Sequence, residues 1–344
     1  MQRLYINGIY KNMFNQPSPL QFIQDELLTK RGIRLFVKRD DLIHPQVSGN
    51  KWRKLKYNLQ AARQQQKRLL TFGGAYSNHI AATAAAGKMF GFETIGIIRG
   101  ELVKPLNPTL HLAQQQGMRL VFVERRAYRE EKAEIAARLQ DELGRCYVIP
   151  EGGSNALAVK GCAEIVAEVR EQLDGVPDYF CVSSGTGGTA AGLVTGLAGM
   201  SYLKVFPALK GDFIKDEINN LIWECVGKKY ENWQLVTDYH FGGYTKWNQE
   251  LIDFINTFYE KFQLQIDPIY TGKLFYGVWN EIEKGNFKNG STIVVIHSGG
   301  LQGILGFNQR FGQILNNVEN SAVLRLPGFL FSQPKFIHEI KNII

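Results

Sequence analysis

Short β-rich runs alternate with helix-period stretches almost from one end of this chain to the other, and no other property limits its fold as tightly. Residues 69–72, 94–98, 119–123 and 146–149 read as buried strands, and helical patterns over 77–90, 108–116 and 129–143 separate them. Asn107-Pro108 is a good helix start, because asparagine caps and proline fits the first helical position. The run Leu35-Phe36-Val37-Lys38-Arg39-Asp40-Asp41 is strand-like, and further strands are expected over 179–182, 203–206, 234–236 and 291–296. Helices are expected between them near 157–173, 188–198 and 245–262. Strict alternation predicts an α/β fold whose mostly parallel sheets are covered by helices on both faces. At 344 residues the chain exceeds the size at which one hydrophobic core stops growing, so two three-layer lobes are expected. No Pro/Ser-rich linker, repeat or low-complexity stretch marks a boundary, which points to lobes that pack closely and can be discontinuous in sequence.

Bulk properties narrow the functional classes. No apolar run is long enough to cross a bilayer, and Met1-Gln2-Arg3-Leu4-Tyr5-Ile6-Asn7-Gly8 lacks the apolar core of a secretory signal, so a cytoplasmic location is expected. Cys146, Cys162, Cys181 and Cys225 form no CxxC pair, and the six histidines make no HExxH, which argues against a zinc site, a disulfide scaffold or a catalytic metal. The net charge of +8 is spread in short groups such as Lys51-Trp52-Arg53-Lys54-Leu55-Lys56, with no basic tail to suggest nucleic acid.

In open parallel sheets ligands sit beyond the carboxyl ends of strands, so the loops just after strands should carry the chemistry. Lys51 lies in the small polar turn Ser48-Gly49-Asn50-Lys51 that follows the first strand-like run. Lysine forms Schiff bases with carbonyl compounds when its surroundings keep some of the amine neutral, which makes Lys51 a candidate nucleophile; the alternative is a solvated lysine at a helix start. After 179–182 comes Ser183-Ser184-Gly185-Thr186-Gly187-Gly188-Thr189. Its glycines allow close backbone approach, and the free N–H groups of the following helix attract an anion. A dinucleotide site, as in a Rossmann oxidoreductase using NAD, would want an acidic residue about 20 positions onward, and Leu203-Lys204-Val205-Phe206-Pro207 supplies none. The loop therefore favours a monophosphate-bearing ligand, with a merely tight turn as the alternative. After 69–72 comes Gly73-Gly74-Ala75-Tyr76-Ser77-Asn78-His79, where Ser77 sits at a helix cap and Asn78 and His79 offer hydrogen bonds to a flat polar ligand.

Taken together and in this order, Ser48–Lys51, Gly73–His79 and Ser184–Thr189 resemble the pyridoxal-phosphate enzymes of the tryptophan-synthase β-subunit type (fold type II). Within them the likeness is to the branch of 1-aminocyclopropane-1-carboxylate (ACC) deaminase and D-cysteine desulfhydrase. The resemblance covers nearly the whole chain. It implies a large cofactor-binding domain from 1–49 and 161–344, a small domain from 50–160, and a homodimer. Lys51 matches the lysine that bonds to the cofactor and later shuttles the Cα proton, with Asn50 beside it. Asn78 matches the asparagine on the ring oxygen, Ser77 the serine beside the substrate carboxylate or reacting carbon, and His79 a further substrate contact. Gly185, Thr186, Gly187, Gly188 and Thr189 match the phosphate cradle. Gly242-Gly243-Tyr244 and Asp267-Pro268-Ile269-Tyr270-Thr271-Gly272-Lys273 resemble the stretches that supply two active-site tyrosines, and His297-Ser298-Gly299-Gly300 the turn at the pyridine nitrogen.

The chain departs from the ACC deaminase pattern at two places. Thr271 stands where that enzyme has glutamate, and Ser298 where it has an apolar residue. A hydroxyl near the ring nitrogen makes a shallower electron sink than a carboxylate, and expelling a thiolate asks less of the sink than opening a cyclopropane. The implied reaction is β-elimination from D-cysteine to pyruvate, ammonia and hydrogen sulfide, with Lys51 as first and Tyr270 as second candidate base; ACC deamination is the alternative. Without the resemblance, Tyr244 and Tyr270 read as half-buried aromatics, His297 as structural, and Asp40 and Asp41 as carboxylates that cap a turn or pair with nearby cations.

Overall fold

Continuous apolar runs such as Ile293-Val294-Val295-Ile296, all fully buried, can satisfy their backbone only in the middle of a sheet covered on both faces. The computed structural model of the protein describes residues 13–65 and 67–316; the amino-terminal stretch Met1–Gly8 lies outside the described residues. Ten strands are formed: β1 (Leu20–Ile23), β2 (Arg34–Lys38), β3 (Arg68–Gly74), β4 (Thr94–Arg99), β5 (Arg119–Val123), β6 (Cys146–Ile149), β7 (Tyr179–Ser184), β8 (Tyr202–Pro207), β9 (Trp233–Leu235) and β10 (Thr292–Ile296). The helices among the described residues are α1 (Glu26–Arg31), α2 (Asn50–Gln64), α3 (Asn78–Phe90), α4 (Pro108–Gln115), α5 (Arg125–Glu130), α6 (Lys132–Leu143), α7 (Ala156–Leu173), α8 (Gly188–Leu197), α9 (Ile214–Val226), α10 (Gln249–Phe262), α11 (Thr271–Glu283) and α12 (Gln302–Phe311).

The strands form two sheets. One has the order β1-β2-β10-β7-β8-β9, parallel except for β1, which runs antiparallel to β2 along the edge. The other has the order β5-β4-β3-β6 and is parallel throughout. Two apolar layers cover the larger sheet: Leu35, Val37, Phe275 and Val295 belong to one, Phe180, Val182, Leu193 and Val205 to the other. The expected α/β fold with mostly parallel sheets is therefore the observed one.

Local differences from the sequence pattern have local causes. The first strand-like run ends at Lys38, and Asp40, Asp41 and Leu42 form a 3-10 turn. The helix expected over 129–143 is two, broken where Glu131 leaves helical geometry (φ −124°, ψ 27°). The helix expected from 245 begins at Gln249, because Thr245 has φ +62° and the Asn248 side chain caps the Leu251 N–H.

One buried ion cluster ties β2, the 3-10 turn, α2 and α7 together. Arg53 donates Nε and Nη2 to the two oxygens of Asp40 (2.8 and 2.7 Å) and Nη1 and Nη2 to those of Glu168 (2.7 and 2.9 Å). Lys38 reaches Glu168 at 2.8 Å, and Ser18 donates to Asp40 at 2.6 Å. Burial opposes the charge on Glu168, but Arg53 and then Lys38 overcome it and hold the carboxyl down at about 2. Asp41 pairs instead with Arg39 (2.7 Å). At Gly161 of α7 an added Cβ would lie 1.9 Å from the Arg53 carbonyl, so glycine lets the two helices touch backbone to backbone.

Candidate active site

The carboxyl ends of β3, β6, β7 and β10 face a common region, and the start of α2 is built into it. Gly49, at φ +63°, precedes α2, and a Cβ there would sit 2.1 Å from the Ser298 carbonyl; only glycine fits. The Asn50 N–H donates to that same carbonyl at 3.2 Å. The turn carrying Lys51 is thus seated directly on the turn that follows β10. His297 is the foundation of that second turn: its Nε2 lies 2.6 Å from the Gln265 carbonyl and its Nδ1 accepts from the Gly299 N–H at 3.3 Å, consistent with a structural histidine.

Lys51 is half-buried, and its Nζ donates to Asn50 Oδ1 at 2.6 Å, while Asn50 Nδ2 donates to Thr189 Oγ1 at 2.9 Å. Asn50 therefore bridges the amine to the glycine-rich loop. Burial first and the nearby Lys54 second lower the Lys51 pKa to about 7, so a large share of the amine is neutral near neutral pH. That is the state a nucleophilic lysine needs.

Gly185, Thr186 and Gly187 link β7 to α8, with Gly187 at φ +78° and Gly188 opening the helix. A Cβ on Gly188 would lie 2.6 Å from Ser154 Oγ and 3.2 Å from Lys54 Nζ. Lys54 Nζ donates to the Gly152 carbonyl (3.0 Å) and Ser154 Oγ (3.1 Å) and lies 3.5 Å from Thr186 Oγ1; burial lowers its pKa. Helix-start amides, two threonine hydroxyls and a buried cation together make an anion cradle. Ser184 Oγ, buried at its edge, has no hydrogen-bond partner among the described residues. Lys54 and Ser154 escaped the sequence reading. The signal for Lys54 was its spacing: three residues after Lys51, it lies on the same helix face one turn on.

Ser77 caps α3 by accepting from the Ile80 N–H at 3.3 Å, and Asn78 Nδ2 would lie 3.0 Å from a Cβ on Gly300, so these neighbours face the β10 turn. His79 is buried under them. Thr71 Oγ1 gives its proton to the Ile149 carbonyl (2.9 Å) and so accepts from His79 Nε2 (2.8 Å), which leaves Nδ1 as an acceptor without a partner among the described residues. Burial, then Lys51 and Lys54, push the His79 pKa well below its usual value, so the ring is neutral.

Tyr270 sits at the start of α11 with its hydroxyl 3.1 Å from where a Cβ on Gly185 would be, over the cradle. Tyr244 comes from the turn between β9 and α10, ring centroids 5.9 Å apart. Burial raises both phenols, Tyr270 well above its ordinary value, so both are protonated donors at neutral pH. Asp267 is 2% exposed and fully occupied: Oδ1 accepts from the Ile269 and Tyr270 N–H groups (2.8 Å each), Oδ2 from the Thr271 N–H (2.9 Å) and hydroxyl (2.6 Å). The Thr271 hydroxyl also accepts from the Asp267 N–H at 2.8 Å and is wholly buried. Ser298 differs: its hydroxyl has a long contact, 3.5 Å, with that of Ser183.

A half-neutral amine, an anion cradle with its own cation and an unpartnered serine hydroxyl beside it fit an aldehyde cofactor that carries a phosphate. Comparison with known proteins agrees. The family model described as pyridoxal-phosphate dependent enzyme matches residues 13–299. A Pyrococcus horikoshii protein provisionally named as a 1-aminocyclopropane-1-carboxylate deaminase is 30% identical over 314 residues, 87% of this chain and 94% of its own length. One from Thermotoga maritima with the same provisional name is 32% identical over 313 residues, 86% and 97% of the two chains. The crystal structure of an ACC deaminase homologue superposes with a TM-score of 0.78 at 29% identity, covering 88% of this chain and 95% of that one. The chain belongs to the pyridoxal-phosphate-dependent enzymes of fold type II, in the ACC-deaminase-like group.

Proposed function

We propose that the protein is a lyase that eliminates the β-substituent of a D-amino acid, with D-cysteine as substrate and pyruvate, ammonia and hydrogen sulfide as products. The observation that carries this reading is the hydrogen bonding at Thr271 and Asp267. Thr271 replaces the glutamate of the ACC deaminase pattern, and both oxygens of Asp267 are spent on four donors. Ser298 would offer the ring nitrogen a hydroxyl. When bound, pyridoxal phosphate supplies an electron sink for the pair released at the substrate Cα. A neutral hydroxyl partner makes that sink shallower, which suits a good leaving group such as a thiolate.

Each remaining role follows from position and protonation. Lys51, with a pKa of about 7, takes up the Cα proton. Tyr270 and Tyr244, held protonated by burial, are donors suited to the departing sulfur rather than bases. Ser77 and Asn78 orient the carboxylate and the ring oxygen, and Gly185–Thr189 with Lys54 hold the phosphate. His79 contributes from beneath, through Nδ1. We place the small lobe at 50–160 and the large lobe at 1–49 with 161–344, and expect a homodimer acting in the cytoplasm. All four cysteines are free thiols, and no described helix is long and apolar enough to cross a membrane.

The names of the relatives favour a second reading, ring opening of ACC to 2-oxobutanoate and ammonia. Purified holoenzyme assayed for keto-acid release decides between them. A kcat/KM for D-cysteine well above that for ACC is expected, and the reverse order overturns the proposal.

A further inference from the structure

Tyr244 is presented by a turn that the chain cannot hold cheaply. Within five residues, Phe241 (φ +53°), Gly242 (+90°), Gly243 (+116°) and Thr245 (+62°) all lie at positive φ. Two of these carry a Cβ, and such residues keep this shape only where their surroundings impose it. The imposing contact is a side chain from another element. Lys273, 2% exposed in the first turn of α11, donates Nζ to the His240 carbonyl and to the Gly243 carbonyl, each at 2.8 Å.

Asp267 favours the charge on Lys273 from nearby, but its two oxygens already accept four hydrogen bonds, and the hydrogen bonds of Lys273 go to carbonyls. Burial lowers its pKa to about 8, so near neutral pH it remains mostly an ammonium that donates strongly. Tyr270 lies three residues earlier at the start of the same helix, and Asp267 fixes that start. The first turn of α11 thus bears Tyr270 on its backbone and grips the Tyr244 turn through one side chain.

We propose that Lys273 is a positioning residue that clamps the 240–245 turn in its strained shape and so sets Tyr244 against Tyr270 at the mouth of the site. The proposal rests on Tyr244 serving the reaction described above, but one arm of its test requires no turnover. In the holoenzyme, Lys273→Met is expected to lower kcat on D-cysteine about tenfold or more with KM within roughly twofold. In a Tyr244→Phe background the same substitution should change kcat by less than about twofold, because its effect passes through the missing hydroxyl. An equal loss in both backgrounds overturns the proposal.

The second arm is amide hydrogen exchange. In the wild type, the Gly242, Gly243 and Lys246 amides, each bonded within the turn, should be protected, and Lys273→Met should speed their exchange about tenfold while α10 and α11 keep theirs. Wild-type amides that exchange as fast as an unstructured peptide overturn the clamp, even where Lys273→Met does not fold. Protected amides with no D-cysteine turnover would instead count against the substrate assignment.

Discussion

Among the lysines, Lys51 is set apart by its proton. Its amine titrates near about 7 because burial and Lys54 both disfavour the ammonium. Limited acetylation of cofactor-free protein, followed by peptide mass spectrometry, should therefore label Lys51 with a midpoint near pH 7, far below the value of about 10.4 for a free lysine amine. A midpoint for Lys51 above about 9 would show that burial does not act as described. Lys54 has a different task, so its loss should read differently. Lys54→Ala removes a charged donor from the anion cradle, worth about 1.5–3 kcal/mol, so cofactor should be retained roughly ten- to a hundredfold less tightly in equilibrium dialysis. Unchanged retention would mean that the cradle works through its amides and hydroxyls alone. From sequence, the small polar turn singles out Lys51, while Lys54 is one more charge in the short basic group that follows. What distinguishes them is burial, which depends on helices far away in the chain.

At the scale of elements, α2 is held by close contact with α7 rather than by its own amphipathic pattern. Gly161→Ala would push a methyl into the Arg53 carbonyl, and overpacking of this kind costs about 1–3 kcal/mol, readable as a lower urea midpoint with reduced turnover. Gly303→Ala in α12 is the control: no neighbouring atom of the described residues lies within 4 Å of the new Cβ, so the midpoint should stay or rise slightly. Equal effects at the two sites would contradict the packing account. The same contrast explains what could be read from the sequence. β2 to β10 were legible, most of them because parallel strands in a covered sheet are continuous apolar runs. α2 was not anticipated beyond its first turn, because Arg53, Lys54 and Asn58 look exposed yet are buried by partners remote in sequence. β1, a four-residue edge strand, has too little pattern to announce itself. In the site, the glycine-rich turns and Lys51 were legible as local motifs. The Asp267 cap on Thr271 and the reach of Lys273 were not, since each depends on how a helix start is oriented.

For the whole molecule, the Asp40–Arg53–Glu168–Lys38 cluster joins the segment before α2 to the half of the chain that follows β6, and its chemistry sets an acid limit. The carboxyl of Glu168 is lowered in the folded state to about 2, so its contribution is fully present above the ordinary carboxylate range and is lost as pH falls toward 2. Urea stability should therefore decline between roughly pH 5 and 2, and in Glu168→Gln the decline over that window should be shallower from a lower starting stability. Identical slopes would assign acid sensitivity to other groups. There is also a consequence for biosynthesis. Only glycine at position 49 fits against the Ser298 carbonyl, and the Asn50 N–H bonds to that same oxygen. Lys51 emerges from the ribosome long before the surface that shapes its turn. A nascent chain stopped before β10 would carry Lys51 with no mould to set it, so cofactor capture should wait until β10 and the turn after it have been made.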